Sequence, residues 1–245
     1  MNNKPIIISI EGNIGSGKST LVKLLEAKFK TSQIHFLSEP VDEWTNFMDE
    51  NGETILTKFY KDQKKYSFTF QIMAYISRLN KLKMKIEELK HTNQSNIIIT
   101  ERSLSTDKYV FAQMLYDDNK MEKIQLDIYN EWFHAFNKET EITKIIYIKT
   151  EPEVCSNRIN ERSRLGEENI PIEYLTNCHK YHENMINIEN ESEKKILVLD
   201  GNNNVYESEI FEDWTRQIKE FIKENIKPTN ILRSTTEIQT EMFGV

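Results

Sequence analysis

Short apolar runs alternate along this chain with longer stretches whose apolar residues recur every three or four positions. The runs cover 6–10, 34–37, 97–100, 145–148 and 196–199; each is rich in β-branched residues and is followed by a polar or charged one. They are continuous rather than alternating, the pattern of strands buried on both faces of a parallel sheet. The helical spacing predicts helices over 18–30, 68–90, 105–116, 120–137, 153–162, 171–190 and 206–223. Alternation of the two predicts a doubly wound α/β fold, three layers α/β/α around a five-stranded parallel sheet.

Seven glycines and five prolines leave few breaks, and no linker or repeat divides the 245 residues. The reading is one domain over 1–226, followed by a loop or tail over 227–245 that opens with Pro228 and is rich in Ser, Thr and Glu. The net charge of −7 argues against a general nucleic-acid binder. No apolar run is long enough for a membrane helix or signal segment, so the cytosol is the expected compartment. Cys155 and Cys178 are widely separated and have no metal-ligand spacing, which suits buried thiols in a reducing compartment.

Candidate chemistry begins at Gly12-Asn13-Ile14-Gly15-Ser16-Gly17-Lys18-Ser19, followed by Thr20. The spacing G-x-x-x-x-G-K-S falls between a predicted strand and a predicted helix, as a phosphate loop must. Backbone N–H groups converge there on phosphate oxygens at the positive end of the helix. Lys18 would reach the β- and γ-phosphates of ATP, and the Ser19 hydroxyl would ligate Mg²⁺. A guanine-reading Asn-Lys-x-Asp is missing; Asn137-Lys138-Glu139-Thr140 lacks the carboxylate. A GTPase switch is thereby excluded.

Three further groups favour a small-molecule kinase. Glu39-Pro40 follows the second predicted strand and Glu101-Arg102-Ser103 the third, at the carboxyl edge where ligands bind in such sheets. Arg158, Arg162 and Arg164 crowd into and beyond one predicted helix, Arg158 and Arg162 on one face. Such a cluster suits a lid, about 158–169, that neutralises phosphate charge in the transition state.

These segments, with Ser67-Phe68-Thr69-Phe70-Gln71, Tyr109-Val110-Phe111-Ala112 and Ile170-Pro171-Ile172-Glu173-Tyr174-Leu175, resemble the deoxynucleoside kinases, most of all the deoxycytidine and deoxyguanosine kinase branch. The resemblance implies a nucleoside-kinase-like P-loop fold, ATP as donor with Mg²⁺, a small deoxynucleoside as acceptor, and a homodimer formed through helices. The faces of 68–89 and of 124–136, which carry Trp132 and Phe133, are apolar enough to allow that pairing.

Carried over residue by residue, the resemblance makes Glu39 the base that takes the 5′-hydroxyl proton. Arg102 holds Glu39 and the 5′-oxygen in line, and Glu101 helps position Mg²⁺. Gln71, Ala74 and Arg78 share one helix face, with Gln71 at the Watson–Crick edge of the base and Arg78 paired with Asp107. Phe111 stacks on the base, and Trp44, Leu56 and Phe70 line the pocket. Tyr60 and Glu167 meet the sugar 3′-hydroxyl. The Arg78–Asp107 pair favours an exocyclic amino group over a thymine carbonyl, so deoxycytidine or a purine deoxynucleoside is expected over thymidine. Two positions depart from the family pattern: Phe59, which would narrow the base site, and Gly166, which would loosen the lid.

His179 and His182 lie three apart on a predicted helix without companion ligands, and are expected at the surface. Two alternatives stay open at this level. A nucleoside monophosphate kinase of the thymidylate kinase type would carry a cation beside the carboxylate after the second strand, where this chain has Ser38 before Glu39 and Val41-Asp42-Glu43 beyond. A nucleotide-binding module without activity is disfavoured by the retention of Lys18, Ser19, Glu39, Arg102 and the lid arginines.

Overall fold

The computed structural model describes residues 4–29, 31–92, 94–162, 167 and 170–223. Five parallel strands form its sheet: β1 (Ile6–Gly12), β2 (Ile34–Leu37), β3 (Ile97–Glu101), β4 (Lys144–Lys149) and β5 (Lys195–Asp200), in the order β2-β3-β1-β4-β5. The chain winds from β1 outward to β2 and back to β3, then crosses to β4 and β5. The reversal falls at β1, and the crevice outside its carboxyl end is where ligands bind in sheets of this kind.

Alternation along β1 sends its side chains to two cores. Ile8 and Ile10 pack with Leu21 and Leu25 of α1 (Lys18–Lys28) and with Trp214 and Ile218 of α10 (Ser208–Lys223). Ile7 packs on the other face with Leu82, Ile86 and Leu89 of α4 (Gln63–Leu89), and Ile186 of α9 (Ile172–Glu191) lies against them. Strands β1, β3 and β4 are covered on both sides, so their runs are apolar rather than alternating, whereas edge strand β5 leaves Val198 exposed. Buried Lys144 of β4 donates from Nζ to the carbonyls of Phe221 and Ile222, closing the last turn of α10.

A third apolar cluster lies beyond the strand ends. It joins α2 (Val41–Trp44), α3 (Ile55–Lys61), α4 and α7 (Lys123–Phe136) through Trp44, Phe59, Phe70, Tyr75, Tyr129 and Phe133. The two short helices α2 and α3 are absent from the sequence prediction because four and seven residues hold too little periodicity to register. Polar caps set the starts nearby. Thr54 accepts the Thr57 N–H at α3, and Asp62 accepts the Lys65 N–H at α4, which therefore begins five residues before the predicted start at 68.

The predicted helix over 105–116 is three pieces: α5 (Leu104–Thr106), a π-helical turn (Asp107–Ala112) and α6 (Gln113–Asp117). The wide turn carries both Asp107 and Phe111, and such turns gather at functional sites. Helix α8 (Pro152–Arg162) runs toward the proposed lid. Arg164 and Gly166, most of the lid beyond Arg162 and the tail over 227–245 lie outside the described residues.

Candidate active site

The phosphate loop leaves β1 and enters α1 as the sequence requires. At Gly15, φ is +79°, and a Cβ there would stand 2.5 Å from the Cys155 carbonyl oxygen. At Gly12, φ is +149°, and a Cβ would meet the Ile148 carbonyl at 2.7 Å. Side chains are thus excluded at both places, by conformation and by space. Asn13 ties the loop down, donating from Nδ2 to the Leu175 carbonyl (2.9 Å) while its Oδ1 accepts the Ile14 N–H (2.8 Å). Lys18 Nζ donates to the Asn13 carbonyl at 2.6 Å, and the buried Ser16 hydroxyl has no hydrogen-bond partner among the described residues. A cradle of small residues holding an ammonium and an unpartnered hydroxyl fits a polyphosphate.

Register between β1 and β3 sets Glu101 beside Ile10, so the residues after β3 lie against this loop. The Ser19 hydroxyl donates to Glu101 Oε1 at 2.5 Å, and the Glu39 N–H approaches Oε2 at 3.4 Å. A hydroxyl and a carboxylate are the hard oxygen donors that Mg²⁺ takes together with phosphates and water. Groups of three or more His, Cys, Asp or Glu able to hold a metal alone do not occur among the described residues.

Glu39 stands between two arginines. Its Oε1 accepts from Arg78 Nη2 at 2.8 Å and lies 3.3 Å from Arg102 Nε. Burial works to raise the Glu39 pKa, but Arg102, then Arg78 and Lys18, outweigh it and hold the carboxyl down to about 2. Arg78 is itself fixed: its Nε donates to Asp107 Oδ2 at 2.9 Å and its Nη1 to the Glu101 carbonyl at 2.7 Å. Burial pushes the Asp107 carboxyl up despite Arg78. The residues flanking Glu39 in sequence carry no cation, and the fold supplies both.

From this cluster a cavity runs toward α3 and α4. It is lined by every residue the resemblance assigned to the nucleoside: Glu39, Trp44, Leu56, Tyr60, Phe70, Gln71, Ala74, Arg78, Arg102, Asp107, Phe111 and Glu167. Phe59 and Phe70 stack with centroids 4.6 Å apart, and Trp44 meets Phe70 edge-on at 5.4 Å. Phe59 is a buried wall of this end of the cavity. A second cleft opens on the other side of the phosphate loop, lined by Thr20, Arg158, Asn203 and Tyr206. Gly15, Lys18, Ser19 and Arg162 line both, so two chambers meet at the lysine.

The sequence profile of deoxynucleoside kinases matches residues 8–223, nearly the whole described chain. This chain belongs to the deoxynucleoside kinase family. Deoxycytidine kinase 2 of Gallus gallus is 33% identical over 239 residues, spanning 88% of this chain and 89% of that one. A probable deoxycytidine kinase of fowlpox virus (strain NVSL) is 37% identical over 213 residues, 86% of this chain and 83% of the relative. Human deoxycytidine kinase is 32% identical over 238 residues, at 88% and 90%. Membership decides against the monophosphate kinase and the inactive module in favour of a deoxynucleoside kinase.

Two expectations for this deoxynucleoside kinase need restating. His182 is not at the surface: it is fully buried, and its Nε2 lies 3.2 Å from Arg102 Nη1. The error arose because helical spacing shows which residues share a face, and α9 has neighbours on more than one. His179 is half-buried, its Nδ1 3.2 Å from the Thr150 carbonyl. The arginines of α8 also divide. Arg158 donates to the carbonyls of Gly201 (2.8 Å) and Asn203 (3.1 Å) on the outer cleft, whereas Arg162 pairs with Glu167 where the chambers meet. Both cysteines are buried thiols, pushed up by that burial to about 11 at Cys155 and about 12 at Cys178. Val41 and Tyr174 also line the cavity; both fall within segments that resemble the family, but sequence alone assigned neither a site role.

Proposed function

We propose that this kinase moves the γ-phosphoryl group of ATP, with Mg²⁺, to the 5′-hydroxyl of a deoxynucleoside, supplying deoxynucleoside 5′-monophosphates for nucleotide salvage. Deoxycytidine and purine deoxynucleosides are its preferred acceptors over thymidine. The observation that carries the reading is the seat of Glu39, ionised between Arg78 and Arg102 where the inner cavity meets Lys18.

ATP enters from the outer cleft, its phosphates on the loop from Gly12 to Thr20; Ser19 and Glu101 are the residues that would hold its Mg²⁺. The nucleoside fills the inner cavity with its base against Gln71, Arg78 and Asp107, stacked on Phe111, and its 3′-hydroxyl near Tyr60 and Glu167. Its 5′-hydroxyl then meets Glu39. Phosphoryl transfer through a loose transition state needs in-line placement and charge neutralisation above all. Glu39 orients the hydroxyl and receives its proton; Lys18, Arg158, Arg162 and Arg164 spread the charge that grows on the transferred group. A carboxylate at this point also repels an acceptor that already bears a phosphate.

The test is ADP release from Mg·ATP with the four deoxynucleosides, their ribose forms and thymidine monophosphate as acceptors. Turnover with deoxycytidine or a purine deoxynucleoside, and little with the monophosphate, is the expected result. Turnover with the monophosphate alone would overturn it.

The state of Lys18 adds a prediction. Burial and then the Arg102 charge push its pKa down to about 7 in the protein without nucleotide. Above that pH the amine is largely neutral, and triphosphate oxygens restore its charge. Binding of ATP at about pH 8 therefore takes up close to one proton, visible as a buffer-dependent heat in calorimetry, and uptake fades as the pH falls below about 6. Lys18→Met abolishes the uptake.

The remaining structural proposal is a homodimer. Ile76 and Met84 of α4 and Ile124, Ile128, Trp132 and Phe136 of α7 are exposed apolar residues on two helices joined by the hydrogen bond from Tyr75 to the Trp132 carbonyl. A face of this kind supports pairing with a second copy through α4 and α7. No helix among the described residues is long and apolar enough to cross a membrane.

A further inference from the structure

His182 sits in α9, walled in by two rings: Tyr147 lies parallel to it with centroids 6.5 Å apart, and Phe111 meets it at 88° and 6.2 Å. Its Nδ1 is 2.7 Å from the Cys178 carbonyl of the preceding turn. A carbonyl can only accept, so Nδ1 carries the proton and donates it. Nε2 is then a bare lone pair, and it faces Arg102 Nη1, a group that can only donate, at 3.2 Å. The two neighbours together select one neutral tautomer.

Arg102 needs such a partner. Its backbone is in the left-handed region at φ +64°, an unfavourable conformation for a residue with a side chain. From there the guanidinium reaches back over the phosphate loop. Nη1 donates to the Gly12 carbonyl at 2.9 Å, the plane lies over the Phe111 ring at 4.9 Å, and Nε points at Glu39. A guanidinium on a flexible stem has several ways to satisfy a carboxylate, and the outer edge decides which one it takes.

We infer that His182 is a positioning residue for phosphoryl transfer: its neutral imidazole holds the outer edge of Arg102, so that the inner edge is presented to Glu39 and the acceptor oxygen. The inference rests on the proposed role of Arg102. Burial, then the charges of Arg102 and Lys18 and the neighbouring His179, hold the His182 pKa well below its ordinary value. An imidazolium would forfeit the acceptor and set two cations together. Glu39, Lys18 and Arg78 surround the other end of Arg102, and none of them reaches His182 with a hydrogen bond in the structure.

The experiment compares His182→Leu, which removes the acceptor, with His182→Gln, whose amide oxygen can stand where Nε2 stood. In His182→Leu, kcat should fall by about tenfold or more while the nucleoside KM stays within about threefold, the pattern of an interaction made in the transition state. Glu39, held at about 2 in the unaltered enzyme, should titrate at higher pH once it loses a guanidinium held against it, so that a new acid limb of kcat/KM enters the measurable range. His182→Gln should recover most of kcat and the unaltered pH profile. Equal losses in the two variants, or a folded His182→Leu enzyme with unchanged kcat and pH profile, would overturn the inference. Should His182→Leu fail to melt cooperatively, ¹⁵N NMR of the unaltered protein decides. The inference requires the Nδ1–H tautomer without titration from about pH 5.5 to 8.5, a range that a solvent-exposed histidine would titrate across. A titrating or Nε2-protonated ring overturns it. Arg102→Leu separates the two levels: an unimpaired enzyme removes the role of Arg102 itself, whereas an impaired one beside a normal His182→Leu removes only that of His182.

Discussion

Glu39→Gln should lower kcat by about a hundredfold to ten-thousandfold, the range for loss of a general base, with nucleoside Kd within about threefold. The amide matches the carboxylate in size and still offers an oxygen to one of the two guanidinium groups, so the fold and the cavity survive. It cannot accept the 5′-hydroxyl proton, and it leaves Arg78 and Arg102 facing each other across a neutral side chain. The pH profile of the unaltered enzyme belongs to the same prediction. Glu39 is depressed to about 2, so its ionised form persists as the pH falls and is lost only as the pH drops through that value. Any acid limb of kcat/KM above about pH 4 must then come from another group. Steady-state kinetics and a binding titration on the two proteins decide the matter; an unimpaired Glu39→Gln enzyme would remove the proposed base.

Thymidine should become a competitive acceptor when Arg78 and Asp107 are replaced together, by Met and Ala. Both side chains are buried and joined Nε to Oδ2 at 2.9 Å. With Arg78 donating to it, Asp107 would present its remaining acceptor capacity to the base in the proposed complex, which would suit an exocyclic amino group and oppose a carbonyl. Polar pockets discriminate strongly when a partner is left unpaired, so the ratio of kcat/KM for thymidine to that for deoxycytidine should rise by about a hundredfold, roughly 2.7 kcal/mol. The double change is needed, because removing one member strands a buried charge at a cost of about 3–5 kcal/mol. Absolute turnover should fall with every acceptor, since Arg78 also holds Glu39 at 2.8 Å. The ratio is therefore the readout, and an unchanged ratio would show that the base does not contact this pair.

The sheet and its crossovers were legible in the chain because local patterns carry them. Most strands announced themselves as apolar, largely β-branched runs followed by a polar residue, and the phosphate loop by glycines that its geometry makes obligatory. Gln71, Ala74 and Arg78 could be set on one face because the helix period is fixed. Glu39 and Arg102 stood out because carboxyl edges are where such sheets place their ligands, and Arg162 because it shares a helix face with Arg158 in an arginine cluster.

Other parts were decided in three dimensions. The sequence around Glu39 lacks a cation, yet packing of α4 and the turn after β3 bring two to it. The π turn that carries Asp107 and Phe111 has the same apolar spacing as a regular helix, so periodicity does not reveal it. His182 looked like a surface residue because its burial depends on Tyr147 of β4, Phe111 of the π turn and Arg102 after β3, all distant in sequence. Sequence determines what each segment prefers on its own. Which charges neutralise one another, and which lone pair faces which donor, depends on the approach of segments tens of residues apart, and tertiary packing alone fixes that distance.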